Sequence, residues 1–535
     1  MATARSKEGQ GDRSEPAHVE IDVAGIDQRI VALGLPPREY TWLAAGADGI
    51  LFLAETVPNQ EGSALHRYDM DEREDKLFLE GVDRFALSRD GARLLYRAGE
   101  QWGIVKTEES PSAGDGALST DAIRLLVDPR SEWRQIYREA WRLHRDYFYD
   151  TGMHGADWQS IHDKYLPFLD DVAHRTDLSY LLATLAGELS VGHSFVLDPP
   201  DPEADKRPRT GLLGADLEVD HGRYRVRKIY TGENWNPDLR APLSAPGIEV
   251  KEGDYILEVN GVELRAPAEP YSLFAGTADR QTTLRIGATP DARDSRLVSV
   301  TPVPSEEALR ARAWIEGNRR RVDQLSGGRL AYVYLPDTGE GGYTYFNRYY
   351  FSQQDKAGAI LDERFNGGGS VADYMVDIMG RRLRGFFNNS ADPNRPFTVP
   401  GAGLFGPKVM IINESAGSGG DFLPYLFRLA GIGPLVGTRT WGGLVGIWDF
   451  PSLMDGGVIT VPRGGFYNLG GAWDVENAGV SPDIEVEQTP REVAAGQDPQ
   501  LERAVAEAMK LLAQSGGERR LPQPPSPRRV LDPVD

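Results

Sequence analysis

The sequence predicts a multidomain α+β chain, and three patterns lead to that class. Short apolar strands repeat between Asp-Gly turns near the start of the chain, and alternating strand patterns separated by Gly and Asn turns fill its middle. From Gly327 onward, strands of continuous Val, Ile and Leu alternate with helical segments, the pattern of a parallel or mixed sheet buried on both faces. At 535 residues the chain exceeds what one hydrophobic core supports, so several domains of roughly 100–200 residues are expected.

Residues 1–17 are expected to be a disordered N-terminus. Across 18–107, GADGILFLAE at Asp48-Gly49 and SRDGARLLYR at Asp90-Gly91 repeat one hairpin at a spacing of 42 residues. A small antiparallel sheet recurring at that period is the signature of β-propeller blades, here residual because two blades cannot close a ring. The segment Glu108 to Thr120 is Pro-, Gly- and Ser-rich and marks a linker. A helical region follows over 120–205. Trp133, Ile136, Tyr137, Ala140, Trp141 and His144 recur at three and four and share one helix face. A second helical run, Leu178 to Val196, breaks at Gly192 and leaves His193 just beyond a helix end.

Residues 206–305 read as a compact β domain. The run GDYILEVNGVEL from Gly253 resembles the PDZ signature, and Gly211-Leu212-Leu213-Gly214 resembles the loop with which PDZ domains hold a peptide carboxylate. Such domains add an extended peptide to a sheet edge, so the resemblance implies a peptide partner held by Gly211, Leu212 and Gly214. Residues 306–512 carry the strand-helix alternation, and a Pro- and Arg-rich tail over 513–535 is expected to be disordered.

Charge and composition narrow the function. Acidic residues number 80 against 59 basic, and the formal charge of −21 disfavours nucleic acid and anionic membrane surfaces as partners. Cysteine is absent, which removes thiolate nucleophiles and cysteine metal sites. No cofactor is called for, and any covalent catalysis must use oxygen. The first residues hold no secretory apolar core and no apolar run approaches a membrane span, so a cytoplasmic location is expected.

Ser418 follows the buried strand Val409-Met410-Ile411-Ile412 and sits between glycines at the start of a helix. A serine at such a turn exposes its hydroxyl, and the amide of Gly419 then points at a developing oxyanion. The same motif also describes an ordinary helix cap or an anion-binding loop. A second cluster, Asn366-Gly367-Gly368-Gly369, ends another strand and can supply a further amide. A serine nucleophile needs a base. Lysine is missing between Lys408 and Lys510, which excludes a lysine shortly after the serine. The eight histidines lie at 18, 66, 144, 154, 162, 174, 193 and 221. A histidine base must therefore cross from the helical region to the sheet domain, and His193 is best placed. His144 and His162 look structural. A metallohydrolase is disfavoured, since neither cysteines nor a His-Glu-x-x-His spacing exists.

Over about residues 18–510, YREAWRLHRDYFYD, ELSVGHSF, ERFNGGG, INESAGSGGD, GTRTWGG and WDVENAGVSPDIEV together resemble the catalytic half of the tricorn protease family. The resemblance implies a cytoplasmic serine peptidase that hydrolyses short peptides, with an α/β domain of the crotonase/ClpP type and assembly as a hexamer. It matches the nucleophile to Ser418, the base to His193 and a supporting glutamate to Glu476. It matches the oxyanion amides to Gly419 and to the Gly368-Gly369 turn. Asp392 is the candidate carboxylate of the specificity pocket. Two departures stand out. The family's serine before the histidine is Gly192 here, so the link from Glu476 to the imidazole is expected to be direct, water-mediated or weakened. The family's two full propellers are reduced to about two blades, which puts gating in doubt. The rival expectation is a non-catalytic peptide-binding homologue whose triad Gly192 has disabled.

Overall fold

The computed structural model describes residues 23–515, apart from 31, 59, 113, 121, 202–203, 205–206, 292, 393–394 and 449–450, together with position 524. The expected disorder of residues 1–17 and of the tail over 513–535 falls outside the described residues, except for position 524 and for residues 513–515, where the last helix, Pro499–Gln514, continues through 513 and 514 instead. The chain divides into two compact units, Met1–Val127 and Asp128–Asp535.

The first unit holds two four-stranded antiparallel sheets in sequential order. One comprises β1 (Tyr40–Ala45), β2 (Ile50–Thr56), β3 (Ser63–Asp69) and β4 (Glu74–Val82). The other comprises β5 (Arg84–Leu87), β6 (Arg93–Ala98), β7 (Gln101–Lys106) and β8 (Ala117–Leu118). The Asp48-Gly49 and Asp90-Gly91 turns open the two sheets in matching positions. A Cβ on Gly91 would meet the Ala47 backbone nitrogen at 2.4 Å, so the two turns pack directly on each other. Phe52, Leu65 and Phe78 of the first sheet join Phe85, Leu94 and Tyr96 of the second in one core.

The second unit opens with helices α1 (Pro129–Tyr147), α2 (Trp158–Tyr165) and α3 (Arg175–Gly187), followed by the short strand β9 (Val196–Leu197). Asp128 caps α1 through the Arg130 amide, and Pro129 at the first turn needs no donor there. The predicted face of α1 is buried through Ile136, Tyr137, Ala140 and His144. The β domain contains β10 (Ala215–Asp220), β11 (Arg223–Ile229), β12 (Tyr255–Val259), β13 (Val262–Glu263), β14 (Thr282–Gly287) and β15 (Arg296–Val300). Its main sheet runs β10-β11-β12-β14-β15, antiparallel throughout, which leaves β10 at an edge.

Helix α4 (Glu307–Ser326) leads into the α/β domain. Its elements are β16 (Leu330–Tyr334), α5 (Glu340–Phe351), β17 (Gly358–Asp362), α6 (Ala372–Met379), the hairpin β18 (Gly385–Phe387) and β19 (Phe397–Val399), β20 (Lys408–Ile412), α7 (Gly419–Leu429) and β21 (Leu435–Gly437). Short strands β22 (Gly446–Ile447), β23 (Val458–Ile459), β24 (Pro462–Gly464) and β25 (Ile484–Glu485) follow, then α8 (Pro490–Ala494) and α9 (Pro499–Gln514). The sheet order β16-β17-β20-β21-β25 is parallel at every pairing.

Strand period explains why these strands read as unbroken apolar runs. Ala331, Val333, Leu361, Met410 and Ile412 face α5, α6 and α7, while Leu330, Tyr332, Ile360, Val409 and Ile411 face α4 and α9. Both faces are core, and the chemistry-bearing loops are pushed to the carboxyl ends of the strands, where crossovers leave room for a ligand. Strand β9 pairs antiparallel with β23, Val196 opposite Ile459, and Leu453, Ile459 and Val461 enter the core of the helical region. The segment bearing His193 is thereby tied to the late part of the chain.

Candidate active site

Ser418 occupies the turn between β20 and α7 with φ 59° and ψ −117°. A positive φ on a residue with a side chain costs about 1–3 kcal/mol and persists only where surroundings enforce it. Here the Ser418 N–H donates both to Gly443 O, at 2.9 Å, and to the Asp421 carboxylate, at 3.0 Å. Its carbonyl accepts from the amides of Asp421 and Phe422 as α7 begins. Asp421 is wholly buried, and its other oxygen accepts from the Gly442 amide at 2.8 Å and from Thr440 Oγ1. Burial pushes the Asp421 carboxyl up from its ordinary value, against hydrogen bonds that hold it down, Thr440 first and then the surrounding amides.

The Asn366–Gly369 turn lies against the serine. A Cβ on Gly368, where φ is 85°, would sit 2.6 Å from Ser418 Cβ and 3.1 Å from its Oγ, so only glycine permits this approach. A Cβ on Gly419 would meet Gly369 N at 2.8 Å and Gly369 O at 2.5 Å, which puts the two glycine backbones side by side. The amides of Gly369 and Gly419 donate to no acceptor among the described residues. Gly368 differs from expectation. Its N–H is spent on Asn366 Oδ1 at 2.9 Å, because the asparagine side chain folds back over its own turn, so this amide is not available to an oxyanion.

His193 lies beyond α3 with φ 60° and is 6% exposed. Thr460 fixes the segment: its Oγ1 donates to His193 O and accepts from the Phe195 amide at 2.7 Å. The imidazole packs on Trp441 at 5.1 Å between ring centroids. The other contact of that indole is decisive, since a Cβ on Gly417 would lie 2.6 Å from Trp441 Cε3. Trp441 therefore touches both the imidazole and the turn that carries Ser418. Neither ring nitrogen of His193 hydrogen-bonds a described residue, and Nδ1 is buried. Burial lowers the imidazole pKa from its ordinary value, outweighing the opposing pull of the Glu476 and Asp421 carboxylates. The base form is thus the ground state at neutral pH. His144 is fully buried and bonds Ala140 O, while the His162 ring packs on Tyr137 and Trp141.

Glu476 reaches this assembly between two residues of positive φ, Val475 and Asn477. Its Oε1 accepts from the Gly192 amide at 2.8 Å, and Oε2 accepts from the amides of Leu444 and Val445 at 2.6 and 2.8 Å. No hydrogen bond links it to the imidazole among the described residues, so of the expected alternatives, a direct, water-mediated or weakened link, the direct one is absent. It grips instead the backbone next to the histidine. Glycine at 192 allows this closeness, since a Cβ there would lie 3.1 Å from Glu476 Oε1 and 3.3 Å from the Trp441 ring.

The remaining expected residues lie elsewhere. Asp392 sits in the connection between β18 and β19 with its carboxylate 3.8 Å from Arg395 Nε. The proposed carboxylate loop is corrected by its own hydrogen bonds. Gly211 N–H donates to Phe274 O, Leu212 N–H to Val303 O, and Gly214 N–H to Glu306 Oε1 at 2.6 Å. Glu306 is 5% exposed, also accepts from the Ala215 amide, and is held by Arg310 at 2.6 Å. An internal carboxylate fills the cradle, so in this conformation these three amides do not serve a peptide. Thr440, Gly443, Thr460 and Asp421 were given no role from sequence. Asp421 lay within the quoted serine motif and Thr440 and Gly443 in GTRTWGG, but single polar residues in glycine loops carry no signal of their partners.

The parallel sheet with glycine turns at its carboxyl edge belongs to the class of the peptidases, since residues 329–486 match peptidase family S41. Residues 129–187 match the tricorn protease C1 domain and residues 211–305 the tricorn protease PDZ domain. The chain belongs to the tricorn protease family. It is 35% identical over 513 residues to tricorn protease homolog 1 of Streptomyces coelicolor, covering 92% of this chain and 48% of that protein. It is 28% identical over 500 residues to the tricorn protease of Thermoplasma volcanium, again covering 92% and 48%. A crystal structure of the tricorn protease matches with a TM-score of 0.80 at 27% identity, covering 90% of this chain and 47% of that one. The chain spans about half the length of these relatives. Among the described residues, no helix is long and apolar enough to cross a membrane.

Proposed function

We propose that this chain hydrolyses short peptides through an acyl-enzyme on Ser418. The observation that carries the reading is the strained serine turn set against two uncommitted glycine amides, with an imidazole packed on the same Trp441 ring that the turn touches. In this reading His193 Nε2 takes the Ser418 Oγ proton as Oγ attacks the scissile carbonyl. The oxyanion rests on the Gly369 and Gly419 amides, which need no reorganisation to receive it. Collapse of the tetrahedral species breaks the C–N bond, and His193 gives its proton to the departing amine. Water then repeats the sequence on the ester, returning the proton to Ser418 Oγ. Glu476 acts through the backbone, holding Gly192 and hence the imidazole in place.

Asp392 as a specificity carboxylate and a hexameric assembly belong to the same proposal, supported by the resemblance, as do a cytoplasmic location and a propeller-blade origin for the two N-terminal sheets, the last supported by the hairpin repeat at 42 residues. A non-catalytic peptide binder is the second reading, favoured by the buried, unpartnered His193 Nδ1. Fluorophosphonate labelling separates the two: covalent modification at Ser418 is expected, and a silent serine overturns the peptidase. Ser418→Ala is expected to lower kcat on quenched peptides by roughly 10⁴–10⁶. Near-wild-type cleavage by that variant would remove Ser418 from the mechanism.

A further inference from the structure

Two large aromatic side chains stand partly open to solvent beside the imidazole. Phe195 is 44% exposed and Trp441 42%, and they stack with centroids 6.2 Å apart and planes 18° from parallel. His193 lies 5.7 Å from the Phe195 ring and 5.1 Å from Trp441, so the exposed pair packs directly on the buried imidazole. Neither Phe195 nor Trp441 belongs to a hydrophobic core of the fold. The Phe195 backbone is nonetheless pinned, its N–H donating to Thr460 Oγ1 and its carbonyl accepting from the Thr460 amide at 2.9 Å. A rigidly held, exposed aromatic pair is a recognition surface more often than a packing residue.

Its position says which part of a substrate it meets. On the peptidase reading, on which this inference rests, the imidazole must deliver its proton to the leaving amine. That nitrogen belongs to the residue following the scissile bond, so the side chain of that residue lies on the imidazole side of the serine. We infer that the Phe195–Trp441 pair is the subsite for that residue, and that it selects a large apolar side chain, aromatic above all. A flat apolar surface gains by burying and stacking such a side chain, and it offers an aspartate only desolvation.

The same subsite is read in the wild-type protein by acyl transfer. After an ester substrate acylates Ser418, an added amino-acid amide attacks the acyl carbonyl. Its nitrogen gives a proton to His193, Ser418 Oγ departs and takes that proton, and a new peptide bond replaces the ester. Phenylalaninamide is expected to outcompete alaninamide by at least about tenfold as acceptor, and aspartic acid α-amide, which keeps its side-chain carboxylate, to be the poorest. Equal transfer to all three overturns the inference. Phe195→Ala, checked for folding by its melting temperature, is expected to lower the Phe-to-Ala ratio to about twofold, with partial recovery in Phe195→Leu. An undiminished ratio in Phe195→Ala likewise overturns it. Failure of the peptidase reading looks different, because wild-type protein would then form no acyl-enzyme and take no fluorophosphonate.

Discussion

Glu476→Gln separates a carboxylate that orients the base through the backbone from one that is merely near it. The native side chain accepts three backbone N–H groups, from Gly192, Leu444 and Val445, at 2.6–2.8 Å. Glutamine has one oxygen for these donors. Pointing it at the Leu444–Val445 pair turns its NH₂ toward the Gly192 N–H, donor against donor. A hydrogen bond to a charged group is worth about 1.5–3 kcal/mol, so releasing Gly192 costs roughly that amount at the residue next to the imidazole. If most of it appears in the transition state, kcat falls roughly 10- to 100-fold with little change in KM. The pH profile adds a readout that a purely structural role would not move. Burial holds the His193 pKa below 6.5, and Glu476 opposes that shift. Removing the charge lowers the pKa further, so the acidic limb of kcat moves to lower pH. The assay is quenched-peptide hydrolysis across the acid and neutral range for both proteins. A kcat within twofold of wild type, with an unmoved acidic limb, refutes the role assigned to Glu476.

Three further perturbations test the fold and its corrected sites. Lys408 is 5% exposed, its Nζ donates to Gly406 O at 3.3 Å, and burial pushes its pKa from 10.5 down to about 8. Native protein therefore binds fewer protons there than the unfolded chain between pH 8 and 10.5, and stability rises with pH across that window. Lys408→Met is expected to stabilise the fold at neutral pH by up to about 3 kcal/mol and to flatten that rise, measured by urea unfolding. Arg364 is 1% exposed and bridges Asp362 and Asp498, so Arg364→Met strands a fully buried Asp362. A loss of about 3–5 kcal/mol is expected in the same assay, and an unchanged midpoint would contradict the network. Glu306→Ala frees the Gly214 and Ala215 amides. A labelled peptide with a free C-terminus should then bind the variant more tightly than wild type by fluorescence anisotropy, and equal binding refutes the occupied cradle.

What was legible in the sequence is what short-range pattern encodes. The run Val409–Ile412 followed by glycines marks a buried strand and an exposed turn, and Ser418 stands at that turn. His193 was reached by elimination, from the missing lysine between Lys408 and Lys510 and the absence of histidine after His221, together with its place just beyond a helix end. Glu476 was different. Its three donors come from two remote segments, and nothing in Asp-Val-Glu-Asn distinguishes a buried acceptor from a solvated acid. The misreadings share a cause. Gly211, Leu212, Gly214 and Gly368 were read as ligand-holding amides from their resemblance to family loops, but an amide's availability depends on its acceptor. For Gly214 that acceptor is Glu306, many residues downstream, and for Gly368 it is a neighbouring asparagine whose rotamer the sequence does not specify.

Backbone strain gives these remote contacts a common purpose. Ser418, His193, Val475 and Asn477 all carry positive φ, which local propensity opposes at about 1–3 kcal/mol each. Each strained stretch is held by a partner from another part of the chain. Gly443 O takes the Ser418 N–H, Thr460 binds His193 O, Glu476 takes the Gly192 N–H, and Gly442 O takes the Asn477 N–H at 2.7 Å. Three of the four holding contacts pass through residues 442–445 or through the carboxylate anchored on them. Asp421 fastens that same segment to the serine helix through Gly442 and Gly443. Nucleophile, base and acid are therefore not positioned independently. A change in the 442–445 backbone reaches all three, whereas a change confined to one strained residue is resisted by the other segments.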